Sequence, residues 1–571
     1  MAPPTPTLSS LPKEVVSMIC WSTMENQHFN DISKELLSLA LACRSTSEPA
    51  LDVIWNTLIS IWPLLLLLPE DLRVFRRIEE SEDRKLDFMT RLLDISQDEL
   101  VFSREPTPDD FTRWIKYSSR VHHIRDLASF GIWRLDREFL SPSVFDMLQA
   151  YCPKPFLPNL RSLSCREKDL AMGDAVVLPA RIYFARPLQT VTLALAKHPD
   201  PDHLQDIIKS LSSVSPHVET LKLVKGRQSC LRGIEIAQFS LLTSFIGQEV
   251  LVASDALLSL GRLPQLRKLF IQPRAEPSDW DELPRERHDG FFAALLELDL
   301  VSRNDAHQYC MMLLKVIAPT ALHFVSLNLR WPDDEAEALF TGFSVALGAL
   351  PCPSTLHHIT ISVGSDDCPD RNIYRSPCFI PLLALPALRA LQFLGGPKVI
   401  VDDAMLDAMS RAWPALHTLE FEWPALTGNV NWYSENMCYN PPRAGAPDCP
   451  KATLAGLVPL VRRCADLRVL AVAIDMRVAV PRFDGLRCPP VSGTSGVRRL
   501  RTGGCVAGDD ALAVASFLSL VLPGLRNIEY TPPSWDWERL GNLYWRLVAV
   551  RAQERNWARE HGNAVEQPES P

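Results

Sequence analysis

Few residues in this chain have the type and spacing to do chemistry. Thr502 to Asp510 reads TGGCVAGDD, and glycines close to acids suggest a phosphate cradle. A P-loop surrounds phosphate with backbone amides and a lysine, in the order G-x-x-x-x-G-K-[ST] after a core strand; GGCVAG has no lysine, so a connecting turn accounts for it better. His357 and His358 are adjacent on an expected strand and point to opposite faces, which suits neither a shared metal nor a proton relay. Asp366, Asp367 and Asp370 lack the D-x-D-x-D-G register of a calcium loop. No H-E-x-x-H, no G-x-S-x-G and no cysteine and histidine group with zinc spacing occurs. Carboxylate pairs are inevitable among 68 acids and indicate no acid–base pair without geometry. The expectation is a chain that binds, with no enzymatic activity, metal or cofactor of its own.

A formal charge of -9 over 571 residues gives no overall footprint for nucleic acid. Local basic groups occur at Arg498, Arg499, Arg501 and at Arg73, Arg76, Arg77, but the latter run into Glu79, Glu80, Glu82 and Asp83, as on a solvated helix face. Fourteen cysteines lie scattered without a C-x-x-C, and MAPPTPTLSS has neither a basic start nor an apolar core, so reduced thiols and a cytosolic or nuclear setting are expected. Leu58 to Leu68 is eleven residues broken by Pro63, too short for a spanning helix, which needs about twenty.

Positioning elements are legible from repetition. The phrase apolar-x-x-apolar-x-apolar returns twelve times, as in PNLRSLSC at 158, PQLRKLFI at 264, PALRALQF at 386, PALHTLEF at 414 and PGLRNIEY at 523. Its middle apolar residues fall at 163, 191, 221, 269, 298, 327, 359, 391, 419, 470, 500 and 528, so nine of the eleven steps measure 28 to 32 residues. The step of 48 suggests a degraded copy around Leu242 and Phe245, and the step of 51 contains the insertion Gly428 to Pro450, whose Trp432, Tyr433, Tyr439, Pro441 and Pro442 are either contact points or the packing of an ordered loop.

Between phrases the period changes to that of a helix. In DDAMLDAMSRAWPALHTLEF, Leu406, Met409 and Trp413 recur at three and four residues behind the N-cap candidates Asp402 and Asp403. Each repeat is a strand plus a helix whose apolar face is buried only by stacking on neighbours, which predicts an α/β solenoid with parallel strands inside and helices outside. A parallel β-helix is the nearest rival, but nothing in it calls for an amphipathic helix in every turn.

The residue between the last two apolar positions of each phrase should face the concave side, giving the column Ser164, Thr192, Lys222, Phe270, Asp299, Asn328, Thr360, Gln392, Glu420, Ala471, Arg501, Glu529. Its mixed chemistry suits a folded protein surface better than phosphate or polysaccharide, so the target-binding expectation rests on Lys222, Phe270, Asp299, Asn328, Thr360, Gln392, Glu420, Arg501 and Glu529.

At the amino terminus, Pro12 suits a first helical position and Val15, Val16 and Ile19 form a stripe; Ser33 is a candidate N-cap for a helix with Leu36, Leu39, Ala40 and Cys43 on one side and Leu37 and Leu41 beside them. Leu51, Ile54, Trp55, Leu58 and Trp62 predict a third helix. So small a bundle has little core of its own, and part of its apolar surface must meet a partner or the next domain.

These residues resemble the F-box: Leu11-Pro12 with Glu14, Val15 and Ile19, then Leu36-Leu37-x-Leu39-Ala40-Leu41-x-Cys43-Arg44, then Pro49 and Ile54-Trp55-x-x-Leu58. The spacing from Leu11-Pro12 to Leu36 is several residues longer than is usual in the family. The phrases resemble the longer helix-containing leucine-rich repeats, mostly without the asparagine or cysteine that commonly follows, and the combination is similar to F-box proteins of mushroom-forming fungi. The resemblance implies that Leu11, Pro12, Val15, Ile19, Leu36, Leu37, Leu41, Ile54, Trp55 and Leu58 dock on a Skp-type adaptor, and through it a cullin, in a ubiquitin ligase whose protein substrate the repeats select. The alternatives are a helical cap sealing the first repeat, and a leucine-rich-repeat scaffold or sensor unconnected with ubiquitin. The expected order is a tail at 1–9, the F-box-like module at 10–69, a helical connection at 70–157, repeats at 158–531, a helical cap at 532–561 and a tail at 562–571.

Overall fold

A phrase that alternates apolar and polar residues leaves one side of a strand apolar, and in a computed structural model all twelve phrases lie on strands. The structure describes residues 11–25, 29–77, 98–125, 139–140, 142–166, 180–195, 201–224, 230–274, 290–302, 306–330, 335–364, 373–395, 398–421, 449–478, 480–481, 496–503, 510–531 and 535–562. The tail at 1–9, the acids at 366–370, the glycines at 504–508 and all but the last two residues of the 428–450 insertion fall outside them. The chain divides into two compact units, Met1–Leu266 and Arg267–Pro571.

The first unit opens with helices α1 (Lys13–Glu25), α2 (Phe29–Ala42) and α3 (Arg44–Asn56), followed directly by β1 (Thr57–Leu58). Next come β2 (Arg73–Arg77), β3 (Asp98–Phe102), β4 (His123–Arg125), β5 (Phe139–Leu140), β6 (Ser162–Arg166), β7 (Thr190–Ala194), β8 (Thr220–Val224), β9 (Cys230–Leu231) and β10 (Ser244–Val252). Strands β1, β4, β6, β7, β8 and β10 pair in parallel in that order. The copy expected near Leu242 and Phe245 is β10, with Phe245 opposite Leu221.

Two rungs lie where the sequence predicted none. The third helix ends at Asn56, and Leu58 belongs to β1, because Asn56 O accepts the amide of His122 (2.9 Å) and Thr57–Leu58 pair with β4. The 70–157 segment, expected to be helical, contains β4 and the trio β2, β3, β5, in which β2 and β3 run antiparallel.

The second unit carries β11 (Lys268–Pro273), β12 (Glu297–Val301), β13 (Phe324–Leu329), β14 (His358–Val363), β15 (Ile373–Arg375), β16 (Ala390–Leu394), β17 (Lys398–Ile400), β18 (Thr418–Phe421), β19 (Val469–Ala471), β20 (Arg499–Gly503) and β21 (Asn527–Thr531). All but β15 and β17, which pair with each other, form one parallel ladder in sequence order. Leu419 faces Leu470 directly, so the 428–450 insertion interrupts the chain between adjacent rungs and hides none.

Register puts Leu269, Leu298, Val325, Ile359, Leu391, Leu419, Leu470, Leu500 and Ile528 in one line, and all but the last are buried. The sequence reading placed Leu327 in that line; the pairing of Leu298 with Val325 shifts the rung by two residues. Helices close the apolar side, among them Asp403–Ala412, which is capped as expected by Asp402 accepting Met405 N (2.9 Å). Asp403 instead accepts Thr453 N (2.7 Å) and Thr453 Oγ1 (2.6 Å), tying its repeat to the next. Gly395, at φ +96, turns the chain after β16 where a Cβ would collide with the Val363 carbonyl. The Trp535–Gly562 helix seals the end, with Tyr544 fully buried and its hydroxyl donating to Leu522 O (2.6 Å).

Candidate functional site

Two surfaces are built by these elements. The first is the amino-terminal bundle. Pro12 O accepts the amides of Val15 (3.0 Å) and Val16 (3.1 Å), fixing the first turn of α1. Val16, Cys20, Leu36, Ala50 and Val53 form the core, with Leu11, Leu39, Ala40 and Ile54 packed against it. The expected stripe on α2 thus faces inward, but α2 begins at Phe29, so Ser33 lies inside the helix and is not its N-cap.

Cys43 is the extended residue between α2 and α3, its Sγ 3.1 Å from Ser45 Oγ and 3.2 Å from Thr46 Oγ1. Those hydroxyls bring its thiol down to about 7, Ser45 contributing most. Thr46 Oγ1 donates to Leu39 O (2.7 Å), locking α3 onto α2. The bundle in turn rests on the segment that leads into β4: Arg120 pairs with Glu48 and Asp52 of α3, and the rings of Trp55 and Tyr117 meet at a tilt with centroids 4.7 Å apart.

After that packing, apolar surface remains. Met18 is 65% exposed, Leu37 52% and Leu41 79%, with Ile19 and Trp21 at 38% each. Of the ten residues expected to dock an adaptor, Pro12, Ile19, Leu37 and Leu41 are exposed and Leu11, Val15, Ile54 and Trp55 half-buried. Leu36 (2% exposed) and Leu58 (6%) are interior, so neither can touch a partner of the folded chain. Leu64, Leu65 and Leu68 of the leucine run are also interior, while Leu66 stays 44% exposed.

The second surface is the polar side of the strands. In the first unit it carries the column Arg125, Ser164, Thr192, Lys222, Ile246. In the second unit the column runs Phe270, Asp299, Ser326, Thr360, Gln392, Glu420, Ala471, Arg501, Glu529, with Ser326 where the sequence reading had Asn328. Asn328 is exposed on the same side, two residues further along β13, opposite Ser362.

Much of the second unit's column is bonded along its own length. Gln392 Oε1 lies 3.0 Å from His358 Nε2 and accepts Thr360 Oγ1 at 3.2 Å, and Gln392 Nε2 donates to Glu420 Oε2 at 2.9 Å. Arg501 then reaches Glu420 across the rung of Ala471, whose methyl leaves the space, and its Nε lies 2.7 Å from Glu529 Oε2. Glu420 is only 8% exposed, so this arginine is what makes its burial tolerable. Asp299 hydrogen-bonds Ser326 but has lost much of its water, and burial pushes its carboxyl up to about 6.

The adjacent histidines separate as expected: His357 stacks on His323 at 5.4 Å while His358 joins the network against Phe324. Burial, with Arg389 and His323 nearby, lowers the pKa of His357. Among the described residues no group of three or more acids, histidines and cysteines could hold a metal ion. Among them, too, no helix is long and apolar enough to cross a membrane.

No protein-family model matches the chain, and no curated protein matches it significantly. Solved structures do: an internalin from Listeria monocytogenes (11% identity, 72% of this chain and 90% of that one, TM-score 0.32). Others are TLR13 in complex with ssRNA13 (11%, 72% and 50%, 0.35) and the LRR ectodomain of the Arabidopsis thaliana receptor kinase GASSHO1/SCHENGEN3 bound to CASPARIAN STRIP INTEGRITY FACTOR 2 (12%, 73% and 45%, 0.27). The chain thus spans half or less of the latter two. Its own geometry, parallel strands whose phrases mostly lie 28 to 32 residues apart with helices returning on the apolar side, is that of a leucine-rich-repeat ladder.

Proposed function

We propose that this chain is a protein-binding receptor that joins two partners: a Skp-type adaptor of a cullin ubiquitin ligase at α1 and α2, and a protein target on the ladders. One observation carries the adaptor half. Met18, Ile19, Trp21, Leu37 and Leu41 remain in water although the bundle has a complete core of its own. Leaving such side chains exposed forgoes about 25 cal/mol per Å² of apolar area, which a helical partner would recover. The F-box resemblance supplies the kind of partner, and the varied column of the second unit fits a folded protein as the ligand of the other surface.

The test is co-purification of the full chain with a Skp-type adaptor, comparing the wild type with Leu37→Glu/Leu41→Glu. Both positions are exposed, so the variant keeps its fold and should lose the adaptor. Absence of any complex with the wild type would reject the ligase role.

A second reading, a capped repeat scaffold without ubiquitin chemistry, draws support from the ion pairs of Arg120 with Glu48 and Asp52 and the passage of α3 straight into β1. It predicts wild-type ladder stability to depend on the bundle and no adaptor to be captured.

A further inference from the structure

The residues immediately before the strands of the second unit form a column of their own. Amide-to-carbonyl hydrogen bonds join Arg389, His417, Arg468, Arg498 and Arg526 rung to rung at 2.7 to 2.8 Å. Below Arg389 the line continues through His357 and His323. Their spacing is therefore that of neighbouring strands, about 4.8 Å. All four arginines are exposed, and among the described residues none forms an ion pair. Arg499 and Arg501, by contrast, are occupied by Glu529 and Glu420 on the polar side of the ladder.

A cavity of about 340 Å³ opens at this edge, lined by Arg468, Arg498 and Arg526 together with Asp466 and the glycines 496 and 524. Gly496 runs close against the preceding rung, where a Cβ would sit 2.9 Å from Ala465 O and 3.0 Å from Leu467 O. Three forked guanidinium groups beside one carboxylate, on a chain of net charge -9, form a local positive site against a negative whole.

We infer that this edge binds an acidic peptide segment of a partner protein, its aspartate or glutamate carboxylates held bidentately by Arg468, Arg498 and Arg526. The guanidinium fork matches carboxylate geometry. Asp466 within the cavity disfavours a continuous phosphate backbone but tolerates a peptide, which can set an uncharged or basic residue against it. An extended peptide advances about 3.3 Å per residue, so about six residues span the rungs from Arg389 to Arg526. The inference rests on the ladder as a protein-binding surface and is independent of the adaptor.

The experiment measures fluorescence anisotropy of a labelled peptide of alternating glutamate and serine, about eight residues long, against the full chain. A lysine–serine peptide and an oligothymidylate of similar length serve as comparisons. Binding of the acidic peptide that weakens as salt rises, and falls about tenfold or more in Arg468→Glu/Arg498→Glu, supports the assignment. Failure of the wild type to bind it, unchanged affinity in the variant, or tighter binding of the oligothymidylate overturns it. Adaptor capture is measured on the same variant, whose α1 and α2 are unaltered, so loss of one property is distinguishable from loss of the other.

Discussion

Asp299 tests whether the ladder's polar side is as dehydrated as its geometry implies. Its carboxyl is raised from 3.8 to about 6 by burial, partly opposed by the hydrogen bond to Ser326. The folded chain therefore holds this proton more tightly than the unfolded one. The resulting stabilisation is complete below about pH 4 and is lost as pH rises through about 6. At about 1.4 kcal/mol per pH unit the interval amounts to about 3 kcal/mol at most.

Asp299→Asn keeps the shape and the bond to Ser326 without the charge. The variant should match the wild type near pH 4 and be more stable near pH 7, by up to about 3 kcal/mol. A long ladder need not unfold in one step, so the assay is amide hydrogen exchange of β12 and β13, variant against wild type at each pH. Equal protection at both pH values, or a variant less protected near neutrality, would refute the dehydration of this site.

Other outcomes follow from single contacts. Arg501→Met leaves the Glu420 carboxylate buried and unpaired and should destabilise the second unit by about 3–5 kcal/mol in urea unfolding, with Glu420→Gln in the same chain restoring part of the loss. Leu391→Ala, at a fully buried rung, should cost about 2–5 kcal/mol in the same measurement. Iodoacetamide near pH 7 should label Cys43, whose thiol is lowered to about 7, well before Cys310, which is buried and pushed up to about 12; peptide mass mapping reads the order.

The strand positions were legible because parallel stacking repeats one apolar phrase, and the degraded copy at β10 showed through its spacing alone. Rungs β1 and β4 were not, since strands of two and three residues leave no periodic trace and are set by pairing with each other and with β6. The column position on β13 is two residues before Asn328 because HFVSLNL satisfies the phrase in two frames, and only the pairing of Val325 with Leu298 chooses between them. Leu36 and Leu37 look equivalent in sequence, yet helix rotation buries one and exposes the other. The basic edge is spelled out in the phrases themselves, as the arginine or histidine before β16, β18, β19, β20 and β21. Bonds such as Arg501 to Glu420 join residues 81 apart and leave no local signal at all.

The central claim, that exposed apolar side chains on α1 and α2 form a docking surface for an adaptor, is tested most directly by hydrogen–deuterium exchange of the full chain with and without a purified Skp-type adaptor. Protection gained across 11–56, and absent in Leu37→Glu/Leu41→Glu, is the predicted result. Protection confined to the ladders, or none anywhere, would contradict it.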